Sequence, residues 1–133
     1  MLRVLVVDDN ADHRFLASRV LKGLAAELPL DVAFAQDGDD ALARLARETP
    51  DLVLLDIKMP RVSGFDVLEA ARRDPRTAKL PIVMFTSSEA GADVERARAL
   101  GASGFMTKPL DAKAYADALR DCVRGWAERI ARA

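Results

Sequence analysis

The chain has 133 residues and a formal net charge of −1, with 50% of its residues hydrophobic and 31% charged. That length suits one domain and leaves no room for a second of ordinary size. The near-neutral balance excludes the clustered basic surfaces that nucleic acids and anionic membranes require, and the single cysteine, Cys122, excludes an internal disulfide or a zinc site.

Taken in order, the chain alternates two kinds of pattern. Residues 1–3 lead straight into the apolar run at 4–7 (VLVV) with no signal-peptide layout, and no stretch is long and apolar enough to span a bilayer, so a cytoplasmic protein is expected. Phe15, Leu16, Val20, Leu21 and Leu24 then recur at helical spacing, and residues 31–35 form a weaker strand candidate. Ala41, Leu42, Leu45 and Ala46 mark a second helix, followed by the wholly apolar run 52–55 (LVLL). Phe65, Val67, Leu68 and Ala71 mark a third helix, before the run 82–85 (IVMF). Val94, Ala97 and Leu100 mark a fourth, which Gly101 is expected to end in a left-handed cap. A fifth strand is expected at 103–107 and a fifth helix over about 111–131, with Asp111 as its N-cap following Pro109.

Four- or five-residue runs that are apolar at successive positions suit strands buried on both faces. Three such runs, with the weaker candidates at 31–35 and 103–107 completing a set of five separated by helices, predict an α/β fold, a (βα)5 doubly wound parallel sheet with right-handed crossovers, forming one domain over 1–133. In such sheets the ligand site lies beyond the carboxyl ends of the strands. Function is therefore sought in the residues that follow each run.

Asp8 and Asp9 follow the first run and Asp56 the third; Thr86, Ser87 and Ser88 follow the fourth, and Lys108 and Pro109 the fifth. Singly, each has an ordinary explanation: Asp8, Asp9 and Asn10 can cap a helix, Asp56 can turn a loop, and Lys108 can be a solvated charge. Together they fall on one rim of the sheet. Three carboxylates held close repel one another unless a cation joins them. Oxygen donors without histidine or thiolate favour Mg²⁺ over zinc, and a lysine and a hydroxyl facing the metal suit a phosphoryl group. The set reads as a phosphoryl-transfer site with an aspartate nucleophile.

The segments VLVVDDN (4–10), LVLLDIKMPRVSGFDVL (52–68), IVMFTSS (82–88) and GASGFMTKPL (101–110) resemble the response-regulator receiver family of two-component signalling, in order and at family spacing. The resemblance implies a flavodoxin-like sheet of strand order 2-1-3-4-5. It implies that Asp56 accepts a phosphoryl group from a sensor histidine kinase. Asp9, Asp56 and the backbone carbonyl of Lys58 would ligate Mg²⁺, with Asp8 holding it through water. Thr86 matches the hydroxyl that moves to the phosphoryl oxygens, Lys108 the lysine that ion-pairs with them, and Phe105 the switch aromatic; the Lys108–Pro109 peptide is expected to be cis. Such a protein is a switch that takes part in its own phosphorylation and dephosphorylation, and not an ordinary enzyme. Its fourth helix, fifth strand and fifth helix would present the altered face. Within the family, the alternative is a phosphorelay intermediate that passes the group to a histidine phosphotransfer protein.

The fifth helix carries Tyr115, Leu119, Cys122, Trp126 and Ile130 along one face. The first three are expected to pack on the sheet, and Trp126 and Ile130 to lie beyond its reach. Tyr115, Trp126 and Ile130 are accordingly expected at a homodimer interface formed with the fourth helix and fifth strand. The tail and the MFTSSE run (84–89) are similar to single-domain receivers paired with bacterial phytochrome kinases, with no output domain and hence neither DNA nor membrane as partner. His13 is assigned to solvated helix surface. Two rivals fit less well. A haloacid-dehalogenase-like phosphatase needs its nucleophile after the first strand with an acid two residues on, whereas Lys58 stands two after Asp56. A nucleotide-binding module needs a glycine-rich loop after the first strand, where this chain has Asp8, Asp9 and Asn10.

Overall fold

The computed structural model describes residues 1–132. Ten elements alternate without exception: β1 Leu2–Val7, α1 Ala11–Leu24, β2 Leu30–Ala35, α2 Gly38–Arg47, β3 Leu52–Leu55, α3 Gly64–Arg73, β4 Ile82–Thr86, α4 Gly91–Ala99, β5 Gly104–Thr107 and α5 Ala112–Arg132. The five strands are all parallel and lie in the order β2-β1-β3-β4-β5. This is the flavodoxin-like arrangement that the sequence predicts.

The continuous apolar runs are explained by the two faces of this sheet. Successive side chains point to opposite sides of a strand. Leu5, Val7, Val53, Leu55, Ile82 and Met84 therefore face one way and pack with Ala41, Leu45, Phe65, Leu68 and Ala97 of α2, α3 and α4. Val4, Val6, Leu52, Leu54, Val83 and Phe85 face the other way and pack with Val20, Leu21, Leu24, Leu119 and Val123 of α1 and α5. Each fully buried aliphatic side chain stabilises the fold by roughly 1.5–3 kcal/mol.

The ends of the helices follow local chemistry. Asn10 accepts from the backbone N–H groups of Asp12 and His13 at the start of α1, and Ser63 and Asp66 form a reciprocal capping box on α3. Gly101 closes α4 at φ +93°, in the left-handed region that glycine enters without strain. Asp111 caps α5 by accepting from the N–H of Ala114.

Three expectations are corrected here. First, β5 begins at Gly104, one residue later than expected, although the Ser103 N–H still bonds the Ile82 carbonyl of β4 and its hydroxyl oxygen accepts from the Ile82 N–H. Second, no peptide bond among the described residues is cis, so Lys108–Pro109 is trans, the form an X-Pro bond favours by about 0.5–1 kcal/mol. Third, α5 does not outrun its own domain. Tyr115 is buried, and Trp126 and Ile130 are half-buried against the apolar layer that also holds Leu2, Leu28 and Leu30. Arg129 covers the Trp126 ring at 3.9 Å, and Arg124 pairs with Glu27 just beyond α1. Tyr115 thus has no surface to offer a partner.

Candidate functional site

The carboxyl ends of β1, β3, β4 and β5 converge on one rim. β1 ends in Val7, so Asp8 and Asp9 leave the sheet together; Asn10, not either aspartate, caps α1 and frees both carboxylates. Asp8 is buried and Asp9 exposed. One Asp8 oxygen accepts from the Asn10 N–H at 3.0 Å, and Arg14 donates to the Asp8 carbonyl at 2.7 Å, which fixes the turn.

Asp56 follows β3, is 7% exposed, and is tied to the first strand by its N–H on the Val7 carbonyl. Its Oδ1 accepts from the Ile57 N–H at 2.8 Å. The chain then turns so tightly that the Gly64 N–H reaches the Ile57 carbonyl at 2.8 Å. A Cβ at Gly64 would stand 2.1 Å from the Asp56 carbonyl oxygen, a contact only glycine avoids. The glycine eight residues after the aspartate is therefore part of how that aspartate is aimed.

Lys108, at the end of β5, crosses to the other two strands. Its Nζ donates to Asp8 Oδ2 and, at 3.0 Å, to Asp56 Oδ2, and its side chain is only 3% exposed. The strand end is pinned by the Lys108 N–H on the Thr86 carbonyl at 2.7 Å. Thr86 ends β4 and is buried, with its hydroxyl oxygen accepting from the Ser88 N–H at 3.4 Å. Phe105 is half-buried against the α2–α3–α4 face of the core, and Lys58 is exposed.

The site fits a hard cation. Oxygens of Asp8, Asp9 and Asp56 all lie within 4.8 Å of one another. Three carboxylates against one ammonium leave a formal charge of −2 in a pocket where two of the three acids are buried. Oxygen-only donors at that spacing suit an oxygen-seeking divalent ion and leave positions for substrate oxygens.

The structure thus brings together Asp8, Asp9, Asp56 and Lys108, with Thr86 on the neighbouring strand end. It adds one residue that the sequence reading left on the surface. His13, in the first turn of α1, is half-buried with Nδ1 at 3.0 Å from Lys108 Nζ, and its carbonyl accepts from the Tyr115 hydroxyl at 3.4 Å. The only available signal was positional: a helix that starts at the site's rim must place its first turn there.

Comparison with known proteins bears on the family and the fold. Residues 4–120 match the response regulator receiver domain. The chain is 42% identical over 110 residues to Response regulator PleD of Caulobacter vibrioides, an alignment covering 82% of this chain and 23% of PleD. It therefore spans about a quarter of that relative's length. Among solved structures, it resembles the Mn(2+)-bound form of response regulator Rcp1 with a TM-score of 0.86 at 25% identity. It resembles the phosphorylated cyanobacterial phytochrome response regulator RcpA with a TM-score of 0.87, also at 25% identity. Each of these two alignments covers 95% of this chain and 94% of the other.

Proposed function

Because the chain belongs to the response regulator receiver family, whose members are signalling regulators and not ordinary enzymes, we propose that Asp56 accepts a phosphoryl group from a sensor histidine kinase. The observation that carries this reading is the bridge of Lys108 between Asp8 and Asp56, which sets a fixed positive charge beside the nucleophile. A carboxylate oxygen of Asp56 attacks phosphorus to form a P–O bond, and the P–N bond to the kinase's phosphohistidine breaks with its electron pair staying on the imidazole nitrogen. Lys108 is placed to follow the negative charge as it passes to the phosphoryl oxygens, and the Thr86 hydroxyl can turn to donate to them. Asp8, Asp9, Asp56 and the Lys58 carbonyl would hold Mg²⁺, which when bound offsets the charge of the entering phosphoryl group.

The acyl phosphate carries about 1.5–2 negative charges at neutral pH where the free carboxylate carried one, and spreads them over three phosphoryl oxygens. Drawing Thr86 inward opens room that Phe105, already half-buried beside the core, can enter. That shift alters the face of α4, β5 and α5 and biases partner binding through differential contacts. The likeness to RcpA supports a phytochrome-type kinase as the source of the group.

The reading is tested with acetyl phosphate. The chain is expected to gain one phosphoryl group by intact mass in the presence of Mg²⁺ and none after chelation; uptake that ignores the chelator would defeat the metal assignment. Self-association through α4, β5 and α5 belongs to the same proposal, with the half-buried Trp126 and Ile130 carried on the last of these helices. Light scattering should show Trp126→Ala shifted toward monomer relative to the parent chain, and an unchanged mass distribution removes the helix from the interface.

A further inference from the structure

We propose that His13 is a positioning residue for phosphoryl capture: its Nδ1 lone pair takes the third N–H of Lys108 and so fixes the ammonium beside Asp56. An ammonium has three donors and no acceptor. Here all three find a partner, in Asp8 Oδ2, Asp56 Oδ2 and His13 Nδ1. The direction of the third bond follows from distance. His13 Nδ1 is 3.0 Å from the lysine nitrogen and 3.6 Å from Asp8 Oδ2. A proton on Nδ1 would set N–H against N–H at the shorter contact, so Nδ1 accepts and the ring carries its proton on Nε2.

The imidazole is itself held in place. Its backbone N–H donates to the Asn10 cap at 3.1 Å, and its carbonyl accepts from Tyr115 Oη at 3.4 Å. Its ring leans on the Tyr115 ring at 6.1 Å between centroids. Tyr115 packs in turn on Phe85 at 5.3 Å, within the α1–α5 face of the core. The acceptor that steers Lys108 is thus anchored in the fold.

The consequence concerns the moment the phosphoryl group arrives. Asp56 Oδ2 then ceases to be a free carboxylate oxygen, and Lys108 must transfer that bond to a phosphoryl oxygen. With the other two donors still held by Asp8 and His13, the ammonium needs only a small displacement, and the ordering of its long stem is already complete. Without the third acceptor, one N–H stands unpaired in a side chain 3% exposed, and the ammonium turns to seek another partner.

This role rests on the phosphoacceptor reading, so the test has two independent measurements on the full chain. Beryllofluoride, which mimics a carboxylate-bound phosphoryl group, is titrated calorimetrically with Mg²⁺ present. His13→Phe keeps a ring against Tyr115 but has no acceptor, and is expected to bind about three- to tenfold more weakly. His13→Asn places an amide oxygen where Nδ1 stood and is expected to recover most of that loss. Separately, without beryllofluoride, the side-chain ammonium resonance of Lys108 should be resolved in the parent chain and in His13→Asn, and broadened by exchange in His13→Phe. Equal loss in both variants would overturn the proposal, since it would assign the effect to ring packing. An unchanged ammonium signal in His13→Phe would overturn it directly. If the parent chain fails to bind beryllofluoride while the ammonium signal still depends on the acceptor, the anchor stands and the phosphoacceptor reading falls.

Discussion

Asp56→Asn is expected to gain no phosphoryl group from acetyl phosphate at any Mg²⁺ concentration, while remaining folded. The amide is nearly the same size as the carboxylate, and its oxygen can still accept from the Ile57 N–H, so the turn into α3 keeps its local support. What is lost is the nucleophile, because a neutral amide oxygen has neither the charge nor the basicity to attack phosphorus. The effect on stability is expected to be small, because two changes oppose each other. A charge-assisted bond to Lys108 becomes a neutral one, a loss of about 1 kcal/mol, and the repulsion between Asp56 and Asp8 disappears. Intact mass reads the first outcome, and a thermal melt followed by circular dichroism reads the second. A folded variant that still gains one phosphoryl group would move the acceptor away from Asp56 and withdraw the mechanism built on it.

Most of the arrangement around Asp56 was legible because the fold converts linear position into spatial position. Each wholly apolar run could only be a strand buried on both faces, and in a parallel sheet the residue after each strand must arrive at the same rim. Val7, Leu55, Thr86 and Thr107 end neighbouring strands, so Asp8, Asp56, the Thr86 side chain and Lys108 meet there. The resemblance to a known family then supplied the strand order and the roles. What could not be read shares a different cause. His13 lies in a helix whose periodicity marks only its buried face, and the neighbour that gives it meaning, Lys108, is 95 positions away. Trp126 and Ile130 have the spacing of a buried stripe, but whether anything lies beneath them depends on Leu2, Leu28 and Leu30 at the far end of the chain. Pro109 fixes its own φ and leaves both isomers of the preceding bond within about 1 kcal/mol, so local chemistry does not choose between them.

Lys108→Ala is expected to lower the unfolding free energy by about 3–5 kcal/mol, the range for removing one member of a buried ion pair. The reason lies in what remains. Asp8 is 3% exposed and Asp56 7%, and Lys108 donates to an oxygen of each. Truncation leaves the two buried carboxylates facing each other, with the exposed Asp9 beside them. The cost is mostly that of the stranded acids, since a pair removed as a whole can be neutral. Lys108→Arg is not a remedy: a planar guanidinium cannot point three donors at oxygens and a ring nitrogen arranged around one small ammonium. A divalent cation is the better substitute, because it binds the same oxygens and only when the fold holds them together. Added Mg²⁺ should therefore raise the melting temperature of Lys108→Ala more than that of the parent chain, by mass action on the folded state. Denaturant unfolding with and without Mg²⁺ measures both quantities. A variant as stable as the parent and no more responsive to Mg²⁺ would show that the lysine does not neutralise these acids, and the charge argument for the whole site would fail with it.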